Sequence, residues 1–133
     1  MTKAPQRRLG AIALLTPDYD AAIAFYVGKL GFTLLEDSKL SEEKRWVRIA
    51  AGPDAQTTLL LAKADGPEQI ARIGDQTGGR VFLFLETDDF ARDHALYRSK
   101  GVEFLEEPRA EPYGVVAVFQ DPFGNKWDLI EPA

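Results

Sequence analysis

The chain of 133 residues is long enough to bury one hydrophobic core and too short for two domains of ordinary size. Its 45% hydrophobic and 28% charged residues are typical of a globular protein, and the absence of cysteine excludes disulfides and thiolate metal sites. A formal net charge of -5 without a basic cluster argues against nucleic acid as a partner. Without a long apolar run or a recognisable secretion signal, we expect a cytoplasmic protein that does not bind a membrane.

The hydrophobic pattern, in chain order, predicts a strand, a helix and three strands, and then the same five elements again. The first set comprises a strand at 9–15, a helix at 18–30 and strands at 32–37, 46–50 and 57–62. The second set comprises a strand at 80–86, a helix at 89–100 and strands at 102–107, 115–119 and 126–131. An aspartate begins each helix and a glycine follows it, as helix capping favours.

The two halves are also similar in sequence, which indicates an internal repeat. Tyr26 and Tyr97 match at an offset of 71 residues, and after one deletion Gly31 and Gly101 match at an offset of 70. We therefore predict one domain over residues 1–133. It contains a first unit at 9–63, a polar, glycine-rich linker at 64–79 and a second unit at 80–131.

Three features together resemble the vicinal oxygen chelate superfamily: the duplicated unit, the opening DYDAAIAFYVGKLGF, and the turn DPFGN ahead of the strand WDLIEP. That group includes glyoxalase I, extradiol dioxygenases, fosfomycin resistance enzymes and bleomycin resistance proteins. The resemblance covers residues 9–132. It implies an α+β fold of two βαβββ modules whose curled mixed sheets form a cleft, usually in a homodimer. It does not specify the reaction, because this fold supports many functions.

The resemblance also implies where metal ligands would lie, on the first and fourth strands of each unit. These positions are Ala11, Thr58, Phe82 and Asp128. An alanine methyl group and a phenyl ring offer no donor atom, and a threonine hydroxyl is a weak ligand. We therefore expect no metal cofactor, with a weakly held divalent cation as the alternative.

Strand alternation predicts which side chains face the cleft if Asp128 does. Asp128 is the candidate catalytic residue. The predicted ligand-binding residues are Trp46, Arg48, Thr58, Leu60, Phe82, Phe84, Glu86 and Ile130, beside Ala11 and Ala13. An apolar, aromatic pocket with a few polar groups is typical of a small-molecule site.

Simpler structural roles remain open for several of these residues. Phe82 and Phe84 could fill a core, and Glu86 could be solvated at a strand end. Asp128 could form an inherited ion pair with Arg48 or Lys126.

Two other polar features are assigned structural roles. The sole histidine, His94, is predicted in the second helix, outside the cleft and partly exposed. The DPFGN turn is predicted to be structural, with the Asp121 side chain closing it.

Two functions follow from these patterns. The first is a glyoxalase/bleomycin resistance-like protein that binds a small planar or cationic molecule in an aromatic cleft of a homodimer, without a metal centre. The alternative is a lactoylglutathione lyase-like enzyme, or another lyase or isomerase. It would use Asp128 with Glu86 and Thr58 around a divalent cation, or Asp128 as a general base.

Overall fold

Strands and helices follow one another in the predicted order in the computed structural model, which describes residues 3–133. The first unit contains β1 (Ala11–Thr16), α1 (Tyr19–Ile23), a π-helical continuation (Ala24–Lys29), β2 (Thr33–Lys39), β3 (Arg45–Ala50) and β4 (Thr58–Lys63). A short helix, α2 (Gly66–Ile70), lies in the linker. The second unit contains β5 (Leu83–Glu86), α3 (Phe90–Ser99), β6 (Glu103–Phe104), β7 (Arg109–Glu111), β8 (Gly114–Gln120) and β9 (Lys126–Pro132).

The strands form two separate sheets with the same topology. The first has the order β1-β4-β3-β2, and the second has the order β5-β9-β8-β6, with β7 also paired to β8. In each sheet the first strand of the unit runs parallel to the last, and the other pairs are antiparallel. This arrangement confirms the predicted α+β fold built from two copies of one unit.

The helices differ in detail from the prediction. Asp18 and Asp89 cap α1 and α3 by accepting hydrogen bonds from backbone N–H groups of the first turn, as expected. The first helix, however, widens after Ile23, and the Leu30 N–H donates to the Phe25 carbonyl five residues back. Within residues 3–133, no helix is long and apolar enough to cross a membrane.

One predicted strand is shorter than expected, and an additional short strand follows it. The segment predicted as a strand at 102–107 pairs as β6 only at Glu103 and Phe104, and the chain then bends before β7. Pro108 lies at this bend, where it has no N–H to donate to a ladder. The bend brings Glu106 and Arg109 together, which the predicted single strand would not do.

A single hydrophobic core joins the two units. The inward faces of both sheets pack around the helices, and the aromatic rings of Tyr26 and Phe32 from the first unit contact Trp127 from the second. Tyr97 on α3 donates a hydrogen bond to the Leu30 carbonyl of the first unit. The opposite face of each sheet is therefore turned away from the shared core.

The linker contacts both units through its backbone and side chains. The Gln76 side chain accepts a hydrogen bond from Leu15 N (2.8 Å) and donates one to the Ala13 carbonyl (3.1 Å), so it covers part of the outer edge of β1. Two residues earlier, Gly74 has a positive φ of 73° and lies against the backbone of Phe123 in the DPFGN turn. These contacts hold the linker between the units.

Candidate functional site

The outward face of the first sheet is a shallow surface with an alanine floor. Ala11 lies opposite Thr58, and Ala13 lies opposite Leu60, which is in turn opposite Arg48. The cavity above Ala11, Thr58 and Arg48 has a volume of about 480 Å³, and its other lining residues include Leu35 and Gln56. Strand alternation thus brings together five of the residues predicted to line the site, Ala11, Ala13, Arg48, Thr58 and Leu60.

Trp46 lies further along the same face, toward the β2–β3 hairpin. Its side chain is 40% exposed, which is unusual for a large aromatic residue inside a strand. It lines a second cavity of about 280 Å³ together with Leu60 and Ala62. Both cavities lie against the first sheet, and Trp46 offers an exposed ring for stacking there.

The outward face of the second sheet carries the other predicted residues. Phe84 on β5 lies opposite Asp128 on β9, and Glu86 lies opposite Ile130. Phe84 is 63% exposed, whereas Trp127 and Leu129 on either side of Asp128 are buried in the core. The alternation predicted for these strands is therefore observed.

Phe82 departs from the predicted position. β5 begins only at Leu83, and the Phe82 ring is half-buried and packs in part against the core. In the first sheet Ala11 lies opposite Thr58, whereas in the second sheet the residue opposite Asp128 is Phe84. If the second sheet had the register of the first, Phe82 would lie opposite Asp128. The pairing of β5 with β9 is instead shifted by two residues, so the Phe84 ring lies beside the Asp128 carboxylate.

Asp128 has an unusual environment for a carboxylate. Its Oδ1 atom is buried and has no hydrogen-bond partner among residues 3–133. Burial raises the pKa of this carboxyl group above its ordinary value, Arg109 opposes that shift and Glu106 adds to it. An ion pair of Asp128 with Arg48 or Lys126, one of the predicted alternatives, is not formed.

The two basic residues have other partners. Arg48 Nε donates to Glu36 Oε1 at 3.0 Å across the β2–β3 pair of the first sheet. Lys126 Nζ donates to the Gly79 carbonyl at 3.1 Å. The charged groups that act on Asp128 are instead Arg109 and Glu106. Glu106 lies near the end of the strand predicted at 102–107, and Arg109 follows that strand.

The residues at the family's ligand positions do not fit a metal ion. Ala11 and Phe82 have no donor atom, and the Thr58 hydroxyl donates to the Gly10 carbonyl at 2.9 Å. Among residues 3–133 there is no group of three or more His, Asp or Glu side chains that could hold a metal ion.

The DPFGN turn contains a second, fully buried carboxylate. Asp121 Oδ1 accepts hydrogen bonds from Phe123 N and Asn125 N, both at 2.9 Å, which confirms that this side chain closes the turn. Asp121 Oδ2 accepts from the Asn125 amide at 2.7 Å and from the Tyr26 hydroxyl at 2.6 Å. This carboxylate is saturated with donors and is part of the structure rather than a reactive group.

His94 lies on α3, away from both outward faces. Its ring stacks on the Phe90 ring with 5.3 Å between the ring centroids, and it packs against the Phe104 ring with 4.5 Å between the centroids. Burial lowers the pKa of His94, Arg98 lowers it further and Glu107 raises it. The partly exposed, structural role predicted for this histidine agrees with these contacts.

Comparison with known proteins identifies the class. The model of the Glyoxalase/Bleomycin resistance protein/Dioxygenase superfamily matches residues 8–129, so the chain belongs to this superfamily. An uncharacterized protein from Shewanella frigidimarina (strain NCIMB 400) is 51% identical over 121 residues, which are 90% of each chain.

Two solved structures are similar to this fold over nearly its whole length. TnmS3, an antibiotic binding protein from Streptomyces sp. CB03234, is 30% identical with a TM-score of 0.79, and the match covers 98% of this chain and 100% of that one. UcmS2 is 28% identical with a TM-score of 0.82, and the match covers 96% and 99%.

Proposed function

We propose that this protein binds a small planar or cationic molecule on the outward faces of its sheets and does so without a metal centre. The observation that carries the proposal is the exposure of two aromatic rings, Trp46 and Phe84, on strands whose other sides are buried. Exposed rings on a rigid sheet provide stacking surface at little cost in side-chain entropy. The similarity to an antibiotic binding protein supports this proposal.

We also propose that the binding unit is a homodimer. Each outward face is shallow by itself, and the two cavities on the first sheet are lined without any residue of the second unit. A second copy that places its second sheet opposite the first sheet would bring Trp46 and Phe84 to one cleft. Such enclosure is what small-molecule sites require.

The lyase or isomerase alternative has weaker support. A cation held by Asp128, Glu86 and Thr58 would find no ligand at the other two family positions, because Ala11 and Phe82 have no donor atom. The raised pKa of Asp128 is compatible with a general base, but ordinary binding sites also contain perturbed carboxylates.

Substitution of Trp46 by alanine tests the proposal. We expect the affinity for the planar dye 9-aminoacridine, followed by its fluorescence, to fall about tenfold, because stacking on an aromatic ring contributes on the order of 1–3 kcal/mol. Leu96→Ala is the matched control, since Leu96 is a large exposed apolar residue on α3, outside both faces.

Sedimentation at the same protein concentrations reports whether the binding species is a dimer. Unchanged affinity in Trp46→Ala, or an equal loss in Leu96→Ala, would contradict binding at this face.

A further inference from the structure

The Asp128 carboxylate lacks the hydrogen bonds that a partly buried charge requires. Its Oδ1 atom is shielded from solvent and unpartnered among residues 3–133, while the residue as a whole is only half-buried on the outward face of the second sheet. A desolvated carboxylate without donors is destabilised, and a charged donor relieves this more than a neutral one does. Protonation would remove the charge and still leave the buried oxygen unpartnered.

The guanidinium that acts on Asp128, that of Arg109, already bonds to other carboxylates. Arg109 Nε donates to both oxygens of Glu106, at 2.9 and 2.8 Å, and Arg109 Nη1 donates to Glu111 at 2.9 Å. With all groups ionised, Asp128, Glu106 and Glu111 therefore carry three negative charges against one guanidinium. The surroundings of Asp128 favour an incoming cation over an anion.

An aromatic surface lies directly beside this carboxylate. Phe84 is opposite Asp128 in the β5–β9 pair, so the two side chains project from the same face of the sheet. The Phe84 ring is 63% exposed, and Ile130 extends the apolar surface along β9. A planar molecule stacked on Phe84 would place its edge at the carboxyl group.

We infer that Asp128 is the specificity-determining residue of the proposed site and selects planar aromatic molecules that carry a protonated nitrogen. This inference rests on the proposed function and narrows its ligand class. The aromatic rings would bind planar molecules in general, and the carboxylate would add a charge-assisted hydrogen bond that is strongest with a cationic N–H donor.

A pair of matched probes separates the affinity due to aromatic stacking from the affinity due to the Asp128 carboxylate. 9-Aminoacridine is protonated at neutral pH, whereas acridine has the same three rings and is mostly neutral. We expect the protein to bind 9-aminoacridine about tenfold more tightly than acridine, and the isosteric Asp128→Asn substitution to abolish this preference while acridine still binds. Glu107→Gln is the control for a general change of charge, because Glu107 is an exposed carboxylate of the same bend near His94.

The titrations distinguish a failure of this inference from a failure of the proposed function. Retention of the preference in Asp128→Asn, or its equal loss in Glu107→Gln, would overturn the inference and leave the proposed function intact. Binding of neither probe by the unmodified protein would contradict the proposed function itself. A change in the sedimentation of Asp128→Asn without a change in probe preference would assign the carboxylate to contact with a second copy and would also overturn the inference.

Discussion

Replacement of Tyr26 by phenylalanine is expected to lower the free energy of unfolding by about 3 kcal/mol, because it leaves the buried Trp127 Nε1–H without its partner and removes one donor from the buried Asp121 carboxylate. The Tyr26 hydroxyl donates to Asp121 at 2.6 Å and accepts from Trp127 Nε1 at 3.0 Å. Burial and the Asp121 charge raise the pKa of Tyr26 well above its ordinary value, so the phenol stays neutral and remains a donor. Urea unfolding at fixed protein concentration measures the effect.

Tyr97→Phe is the matched control for this substitution. Tyr97 is also buried, but its hydroxyl makes one hydrogen bond, to the neutral carbonyl of Leu30 at 2.9 Å. We expect a loss of about 1 kcal/mol for this variant, since hydrogen bonds to charged groups contribute roughly twice as much as neutral ones. Equal losses in the two variants would show that the bonds of Tyr26 to Asp121 and Trp127 stabilise the fold no more than one neutral hydrogen bond does.

The second large effect is expected from Gly74→Ala in the linker. A Cβ atom on Gly74 would clash with the Phe123 carbonyl oxygen, which belongs to the backbone and cannot rotate away. The positive φ of 73° adds a further penalty for any residue with a side chain. We expect a loss of about 4 kcal/mol in the same unfolding experiment, as overpacking against fixed atoms combines with backbone strain.

Gly78→Ala separates the clash from the backbone strain. Gly78 has a nearly equal φ of 68°, but no atom lies within 4 Å of the position that a Cβ atom would take there. Its alanine variant should therefore lose only about 1 kcal/mol, the cost of the left-handed conformation. A loss in Gly74→Ala no larger than in Gly78→Ala would mean that the linker does not pack against the DPFGN turn.

The repeated unit and the faces of its strands could be predicted from the sequence because both are periodic. Similarity at a constant offset indicated the duplication, and the alternation of Trp127, Asp128 and Leu129 identified which side chain faces outward. The boundaries of the two units stay a prediction.

The surroundings of Asp128 could not be predicted in the same way. Glu106 lies at a bend, and Arg109 begins the three-residue strand β7, which is too short for any alternation to be recognised. The link between Tyr26 and Asp121 joins residues 95 positions apart, and no local pattern contains that information. The shift of register that places Phe84 beside Asp128 depends on the pairing of β5 with β9, which tertiary packing decides.

The central claim is that the protein binds its ligand without a metal ion. Elemental analysis of the tag-free protein, combined with titration of 9-aminoacridine before and after treatment with a chelator, tests this claim most directly. We predict substoichiometric iron, nickel, zinc and manganese and an affinity unchanged by chelation, because Ala11 and Phe82 supply no donor atom. A near-stoichiometric metal whose removal abolishes binding, and whose retention depends on Asp128, would contradict it.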